Sequence, residues 1–400
     1  MQIREQPTKA TLGLIFAILL LDVVGISMLY PIAAYIVLRY SNDALMVTLL
    51  TVIYAAAQFV AAPVLGKLGD IYGRRPVLLV SLLGSAIGYV VFGIGGALWI
   101  LFLSRLIDGM TAGNQSVAAA YIADVSTPET RAKNFTLIGM AWGFGLVIGP
   151  ASGAALGQWR LDAPAFIAAC LSLLSAALGF FWLPESLPAA QRETTALRLS
   201  DLNPFGAIIR FVGKPGLGKL LLALCLFNVA FQGINSIEAL FLIGKFAAQP
   251  WQIGALLVIA GAIIALVQRF VPPLVSHYGE QGIARACLFL LALDALAICV
   301  APMLWLIYPI NVFRTMTSAL VFPTLGVLMT RCVAPREQGT LMGVNTALSS
   351  CMTILGPLWA GAIYDRVMPS APYWMGAIVF ALAAGMLVQA PSQVTISARR

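Results

Sequence analysis

Ionisable side chains occur inside apolar runs that are long enough to cross a bilayer. They are Asp22, Arg105, Asp108, Glu238, Asp294 and Arg314. On insertion scales a charged side chain at the centre of a membrane helix costs roughly 2.5–3.5 kcal/mol, so residues of this kind usually have a function. A buried carboxyl group can bind and release a proton, and a nearby arginine favours its charged form. These residue types therefore predict proton-coupled chemistry at membrane depth.

Arg105 and Asp108 are three residues apart, which places them on one face of a helix, where their charges can neutralise each other. A carboxyl that exchanges this salt bridge for a proton would couple proton movement to a transport cycle. The alternative is a permanent structural pair. Asp22 has no evident partner on its own helix, and we predict that it is a titrating acid facing a cavity. Asp22, Arg105 and Asp108 form the predicted proton-coupling set.

A second group of polar residues recurs at helical spacing in the seventh apolar run: Asn228, Gln232, Asn235 and Glu238. This stripe predicts a substrate-binding wall, and the alternative is a seam that packs against another helix. The predicted substrate-binding set also includes Asp294, Arg314 and Gln58. For Asp294 the alternative is a packing residue paired with the neighbouring bundle.

The elements that carry these residues must be membrane helices. Hydrophobic residues make up 60% of the 400 residues and charged residues only 10%, too few to cover a soluble protein. About twelve apolar runs of roughly twenty residues occur, without the two-residue alternation of an outer-membrane barrel. The fold class is therefore an all-α polytopic membrane protein, with twelve transmembrane helices in two six-helix bundles.

The formal charge of +8 does not indicate nucleic acid, because basic residues concentrate in alternate loops. This asymmetry follows the positive-inside rule and predicts that both termini are cytoplasmic. We expect a multi-pass protein of a bacterial-type inner (plasma) membrane. The single histidine, His277, rules out a His-rich metal site, and no metal ligand set is expected.

The chain divides into an N-terminal bundle (1–183), a cytoplasmic linker (184–218) and a C-terminal bundle (219–400). The linker is expected to contain a short interfacial helix near Leu199–Val212. The two bundles repeat at a near-constant offset. Arg105 matches Arg314, Pro128 matches Pro335, and Gly149-Pro150 matches Gly356-Pro357. A parallel repeat of this kind is typical of transporters whose halves rock about a central site.

A charged turn follows the second apolar run and contains Gly66, Asp70, Gly73, Arg74 and Arg75. Its glycines allow the chain to reverse within a few residues. We predict that Asp70 caps a neighbouring helix or pairs with a loop arginine such as Arg131, and that it latches the halves. The alternative is a basic turn that serves only topology.

The second-half copy of this turn lacks the acid and both arginines. Ser276, Glu280 and Gln281 stand at the matching places. This predicts a weaker latch and an asymmetric gate.

These motifs resemble those of the major facilitator superfamily. The turn has the pattern G-x-L-x-D-x-x-G-R-R, Arg105 lies in R-x-x-x-G, and Gly149-Pro150 lies in the G-P-x-x-G region that goes with antiporters. Together with Asp22 and Pro31 they are most similar to the drug:proton antiporter branch, in particular the tetracycline efflux proteins. The resemblance implies that Gly149 and Pro150 belong to the gating set and that their helix seals the pathway against proton leak. The alternative is that this helix only packs closely on other helices through its glycine ladder, Gly139, Gly143, Gly149, Gly153 and Gly157.

Three positions depart from the family pattern. Ala154 replaces the last glycine of the antiporter motif, and Asp108 stands where the family more often has a glutamine or a small residue. Gly88 lies where tetracycline exporters carry an acid. The last departure leaves the substrate open.

The expected function is a secondary active transporter, a proton-coupled antiporter that exports an amphipathic drug-like small molecule and so confers antibiotic resistance. The alternative is an uptake permease or facilitator for a natural metabolite, lipid or siderophore on the same fold. An enzyme is not expected, since no Walker A sequence, nucleophile elbow or zinc signature occurs. The expected partners are the small-molecule substrate and the lipid bilayer, with no nucleic acid. The expected coupling ion is the proton, no cofactor is needed, and the protein is expected to be a monomer.

Overall fold

The protein is described by a computed structural model over residues 9–192, 211–213, 216–334 and 337–388, and this part of the chain contains helices but no β-strand. Ten of the helices in these residues are long and apolar enough to cross a membrane. The first-half helices are α1 (Lys9–Met28), α2 (Ala33–Val37), α3 (Ala44–Tyr72), α4 (Arg74–Ile94), α5 (Leu98–Met110), α6 (Asn114–Asp124), α7 (Pro128–Trp159) and α8 (Ala163–Trp182). The second-half helices are α9 (Leu217–Phe246), α10 (Pro250–Val267), α11 (Val271–Tyr278), α12 (Glu280–Val300), α13 (Leu304–Thr330), α14 (Gln338–Arg366) and α15 (Ala371–Val388). The predicted all-α, polytopic fold is confirmed.

The helices belong to two compact units. The described residues of unit 1 fall within 9–42, 49–192 and 249–261, and those of unit 2 within 43–48, 211–248 and 262–388. The first turn of α3 therefore belongs to unit 2, and the first two thirds of α10 belong to unit 1. Domain boundaries at residues 183 and 218 remain a prediction.

The internal repeat is visible in how the helices pack within each unit. In unit 1, α1 packs on α7 and α8, and α4 packs on α5 and α8. In unit 2, α9 packs on α14 and α15, and α12 packs on α13 and α15. The helices α4 and α12 are each 21 residues long, and each follows a glycine with positive φ, Gly73 at 105° and Gly279 at 72°. The two halves thus repeat in backbone conformation as well as in sequence.

Three of the twelve predicted segments are interrupted rather than continuous. The first breaks at 29–32, where Pro31 has no N–H to donate to the helix. The fourth breaks at 111–113 into α5 and α6, where the Thr111 hydroxyl donates back to the Ile107 carbonyl (3.0 Å) and Gly113 follows. The eighth breaks at 268–270, just before two prolines at 272 and 273.

Most of the predicted linker lies outside the described residues. Of the helix expected near Leu199–Val212, only residues 211 and 212 are described, and both are helical. Its first residues are described and contain one short 3₁₀ turn, Ala189–Gln191. Pro335, the repeat partner of Pro128, also lies outside the described residues.

The outer surfaces of the helices carry large exposed apolar side chains, such as Val80, Ile87 and Leu293. Exposed apolar side chains and fully hydrogen-bonded helical backbone are what a lipid environment requires. The apolar core of unit 1 lies where α1, α4, α6 and α8 meet, around Leu19, Leu82 and Tyr121.

Candidate functional site

Unit 1 brings the predicted proton-coupling residues together. Nη1 of Arg105 lies 3.2 Å from Oδ2 of Asp108, and both residues are buried. Asp22 on α1 lies close enough to Asp108 for the two charges to interact. Its Oδ1 accepts a hydrogen bond of 2.8 Å from the side-chain amide of Asn114, the first residue of α6. The unit therefore contains two carboxyl groups and one guanidinium in a single cluster.

The guanidinium of Arg105 is held by aromatic rings as well as by Asp108. Its Cζ lies 4.7 Å from the ring centre of Phe92 and 5.6 Å from that of Tyr89, both on α4. Cations over aromatic faces at this distance are stabilised by the ring quadrupole. The helices come this close because Gly88 has no side chain. A β-carbon there would lie 3.0 Å from Cβ of Asp108 and 3.1 Å from the carbonyl oxygen of Ser104.

The glycine of the R-x-x-x-G motif in α5 allows this helix to pack closely on α3. Gly109, four residues after Arg105, faces α3, where a β-carbon would lie 2.6 Å from the backbone oxygen of Tyr54. One turn further along α3, the half-buried Gln58 donates to the Tyr54 hydroxyl at 3.5 Å. Gln58 therefore lies about one helical turn from the point where α5 packs on α3.

The glycine ladder of α7 packs against α1, the helix that carries Asp22. A β-carbon on Gly149 would lie 2.8 Å from the carbonyl of Val24, and Gly153 contacts the backbone of Met28. The Ser27 hydroxyl donates to the carbonyl of Gly145 at 3.0 Å. By contrast, nothing lies within 4 Å of a β-carbon on Gly139 or Gly143 among the described residues. Only the second part of the predicted ladder forms this seam.

Pro150 lies inside α7 at a point where α10 comes close. A β-carbon on Gly254 of α10 would lie 3.0 Å from the carbonyl oxygen of Pro150 and would collide with the side chain of Ala154. The glycine that allows this close approach is therefore on α10.

The charged turn between α3 and α4 is organised around Arg74. Its Nη2 lies 2.7 Å from Oδ1 of Asp70, and its Nε lies 3.0 Å from Oδ2 of Asp124 at the end of α6. Asp70 thus pairs with the turn's own arginine. Arg131, which lies in the first turn of α7 and not in a loop as predicted, donates to the carbonyl oxygen of Ala123 at 3.4 Å.

Glu185, at the start of the linker, caps helix α4. Its carboxylate accepts hydrogen bonds from the backbone N–H of Arg74 (2.9 Å) and of Arg75 (3.3 Å). A carboxylate at a helix N-terminus also interacts favourably with the helix dipole. Gly73 is needed here twice, for its φ of 105° and because a β-carbon would collide with the Glu185 carboxylate. Gly66, at the other end of the turn, has nothing described within 4 Å of a β-carbon.

The corresponding turn of unit 2 has the opposite charges. Glu280, the first residue of α12, is buried and pairs with Arg331, which follows the end of α13. In unit 1 the first residue of α4 is the cation Arg74, and Asp124 on α6 is its anion. The turn of unit 2 therefore carries an ion pair with reversed signs, at the place where the sequence predicted only a weak latch.

Unit 2 contains a second buried ionic cluster. Nη2 of Arg314 lies 2.7 Å from both carboxylate oxygens of Glu238 and 2.8 Å from Oδ1 of Asn311. Asp294 on α12 is buried beside them, and Arg314 lies near enough to interact with its charge. A cavity of about 10 Å³ opens here, lined by Asn235, Asp294 and Arg314 together with apolar side chains.

The polar stripe of α9 divides into different roles. Asn228 is buried and donates to the Leu224 carbonyl within its own helix at 3.0 Å. Gln232 donates to Thr353 of α14 at 2.9 Å, where Gly233 and Gly356 bring the two helices together. Asn235 is exposed and lines the cavity. Part of the stripe therefore packs helices, and Asn235 remains available to a ligand.

Several contributors to these clusters were not predicted. Asn114, Glu185, Asp124 and Asn311 supply hydrogen bonds or charges to predicted residues. Asn114 could have been found, because an amide after the Gly113 break in an apolar run is unusual. Among the described residues no group of three or more metal-ligating side chains occurs.

Comparison with known proteins places these clusters in context. The sequence model of the Major Facilitator Superfamily matches residues 15–357. The class C tetracycline resistance protein of Escherichia coli is 34% identical, over 93% of this chain and 93% of that protein. The class B protein of Escherichia coli is 29% identical, over 90% and 89%. The solved structure of the human organic anion transporter MFSD10 is similar with a TM-score of 0.70 at 24% identity, over 95% of this chain and 99% of that one.

Proposed function

The chain belongs to the major facilitator superfamily, and we propose that it is a proton-coupled antiporter that exports an amphipathic, drug-like small molecule by alternating access. It is a multi-pass transport protein, and its relatives named as tetracycline resistance proteins support a drug as the substrate. Membership of the family does not by itself fix the direction of transport or the coupling residues.

The observation that carries the proposal is the charge count in unit 1. Asp108 and Arg105 neutralise each other in a buried site. Asp22 is left with a neutral partner, the Asn114 amide, and with the negative Asp108 nearby. A carboxylate without a cation is unfavourable at membrane depth, whereas a protonated carboxyl is tolerated. Asp22 is therefore the group with a proton to exchange.

Arg105 gives the exchange a mechanical consequence. When Asp22 loses its proton, the cluster carries one excess negative charge, and the guanidinium becomes shared between two carboxylates. The helices α1 and α5 are thereby drawn together through Asp22 and Arg105. Since α1 is packed tightly on the glycine ladder of α7, a shift of α1 is transmitted to that helix. Proton binding and release thus bias unit 1 between two arrangements, as alternating access requires.

The substrate is expected to contact unit 2 through the exposed Asn235. In unit 1, Gln58 on α3 remains the predicted polar contact. Glu238 and Arg314 contribute as a neutral pair, since their charges are paired with each other. A mostly apolar surface with a few polar groups suits an amphipathic compound.

We also propose the orientation and setting of the protein. The charged turn with Arg74 and Arg75 and both termini lie in the cytoplasm, by the positive-inside rule, in a bacterial-type inner membrane. The two bundles span 1–183 and 219–400, the proton is the coupling ion, and the protein acts as a monomer. On the cytoplasmic side, the Arg74 network latches the turn in one state of the cycle.

Transport by the purified full-length chain in proteoliposomes tests the proposal. With an imposed pH gradient, we expect tetracycline or another amphipathic compound of a panel to accumulate on the more acidic side while protons move the opposite way. Movement of substrate and protons in the same direction would instead indicate the uptake permease. Substrate flux that no pH gradient affects would indicate a facilitator.

A further inference from the structure

The buried cluster of unit 2 holds one carboxyl group more than it has cations. Nη2 of Arg314 contacts both carboxylate oxygens of Glu238, and the two charges neutralise each other. Asp294 is 5% exposed, and its Oδ2 has no hydrogen-bond partner among the described residues. From this count we propose that unit 2 contains a second proton-binding site, at Asp294, in addition to the site at Asp22 in unit 1.

The groups that face Asp294 leave it without a cation of its own. Nη2 of Arg314 is taken by Glu238 and Asn311, and only its Nη1 is without a partner among the described residues. Lys245 also reaches α12 from α9, but it donates to backbone carbonyls near the end of that helix, those of Ile298 and Cys299.

Among the described residues, the other helices packed on α12 add no positive charge near Asp294. From α15, the buried Tyr373 contributes a neutral phenol whose hydroxyl has no partner in the described part of the chain. The imidazole of His277, on α11, packs edge-to-face against Tyr278. His277 lies before the first turn of α12, more than four helical turns from Asp294.

The proton at Asp294 has a route for exchange. Asp294, Arg314 and Asn235 line the cavity of about 10 Å³, which is about the volume needed for one water molecule. A water molecule bound there would have polar partners in Asp294, Arg314 and the exposed Asn235. The cavity thus joins the buried carboxyl to a side chain that reaches the surface of the unit.

The internal repeat supports the assignment independently. Asp294 follows Gly279 by 15 residues, as Gly88 follows Gly73. At Gly88 the space next to the helix is occupied by Asp108. Both units thus place a carboxyl beside their arginine, and each adds another acid from α1 or α9. In unit 1 the acid without a cation of its own is Asp22 on α1, and in unit 2 it is Asp294 on α12.

The use of the second proton in transport rests on the proposed function, but its location does not. The site is therefore tested by infrared spectroscopy of the purified full-length protein in lipid at neutral pH. Protonated carboxyl groups have a C=O stretching band that shifts in D₂O, whereas carboxylates do not contribute to it. We expect Asp294→Asn to remove part of this band and Asp22→Asn to remove another part.

A second variant tests the charge count even if Asp294→Asn does not fold. In Glu238→Gln, Arg314 loses its partner and is free to pair with Asp294. The Asp294 part of the band should then disappear although Asp294 is still present. Asp162→Asn is the control, because the hydrogen bond from Arg160 lowers the pKa of Asp162 and keeps it ionised, so its removal should leave the band unchanged.

A band that is unchanged in both Asp294→Asn and Glu238→Gln would overturn the second site. That result would leave proton-driven transport through Asp22 untouched. Conversely, a protein that transports no drug but loses the band as expected would overturn the proposed function and keep the site.

Discussion

Gly88 of α4 lies directly against Asp108 of α5, so closely that a β-carbon at position 88 would be 3.0 Å from the β-carbon of Asp108. The carboxyl group at this point of unit 1 comes from Asp108 on the neighbouring helix, with Arg105 three residues before it.

Gly88→Ala should disturb this contact. The new methyl group would press on Cβ of Asp108 and on the backbone of α5, which cannot move away as a flexible side chain would. We expect a loss of about 1–3 kcal/mol in stability, as for other overpacked sites, and weaker proton coupling. Thermal unfolding of the purified protein measures the first effect. Gly139→Ala is the matched control, since its β-carbon meets no described atom within 4 Å, and equal destabilisation by the two variants would refute the contact.

The turn glycines allow a comparison between the two units. Gly73→Ala and Gly279→Ala both place a side chain at positive φ, which is strained for alanine. Only at Gly73 would the methyl group also displace the capping carboxylate of Glu185. We expect Gly73→Ala to be the more destabilising by about 1 kcal/mol, the usual magnitude of a lost cap. If the thermal midpoints fall equally, Glu185 is not an important cap of α4.

The Arg105–Asp108 pair has separable effects on stability and on coupling. Asp108→Asn leaves a buried arginine unpaired, and we expect a loss of about 3–5 kcal/mol. Adding Arg105→Gln removes that charge and should recover most of the stability. Uphill transport should not recover, because Asp22 then has no cation to interact with after it releases its proton. A double variant that concentrates substrate against a gradient would show that the pair is only structural.

The sequence predicted the large-scale features well because they depend on composition and periodicity. Apolar runs, basic loops and the offset between halves identify twelve helical segments and their repeat. The ionic residues were found because charge is unusual at membrane depth. The helix breaks after Met28 and after Met110 were missed, since apolar runs continue through them and only single residues such as Pro31 and Thr111 mark the interruption.

It was harder to predict which residues pair with one another. Glu185 is 111 residues from the Arg74 backbone that it caps, and nothing in the local pattern joins them. Gln232 was predicted to face substrate, but its amide is used on Thr353, 121 residues away. The charge-reversed pair of Glu280 and Arg331 was read as a weak latch because only one partner lay in the motif. Such pairings depend on tertiary packing, which a single sequence does not specify.

If Asp22 carries the proton that drives export, drug uptake driven by a pH gradient in proteoliposomes depends on its carboxyl group. Asp22→Asn keeps a side chain of the same shape and a hydrogen bond for Asn114, so the variant should fold and still equilibrate substrate downhill. We predict that it loses accumulation against a gradient and the accompanying proton flux, while Asp162→Asn, in the turn between α7 and α8, retains both. Accumulation by Asp22→Asn equal to that of the unmodified protein would contradict the account.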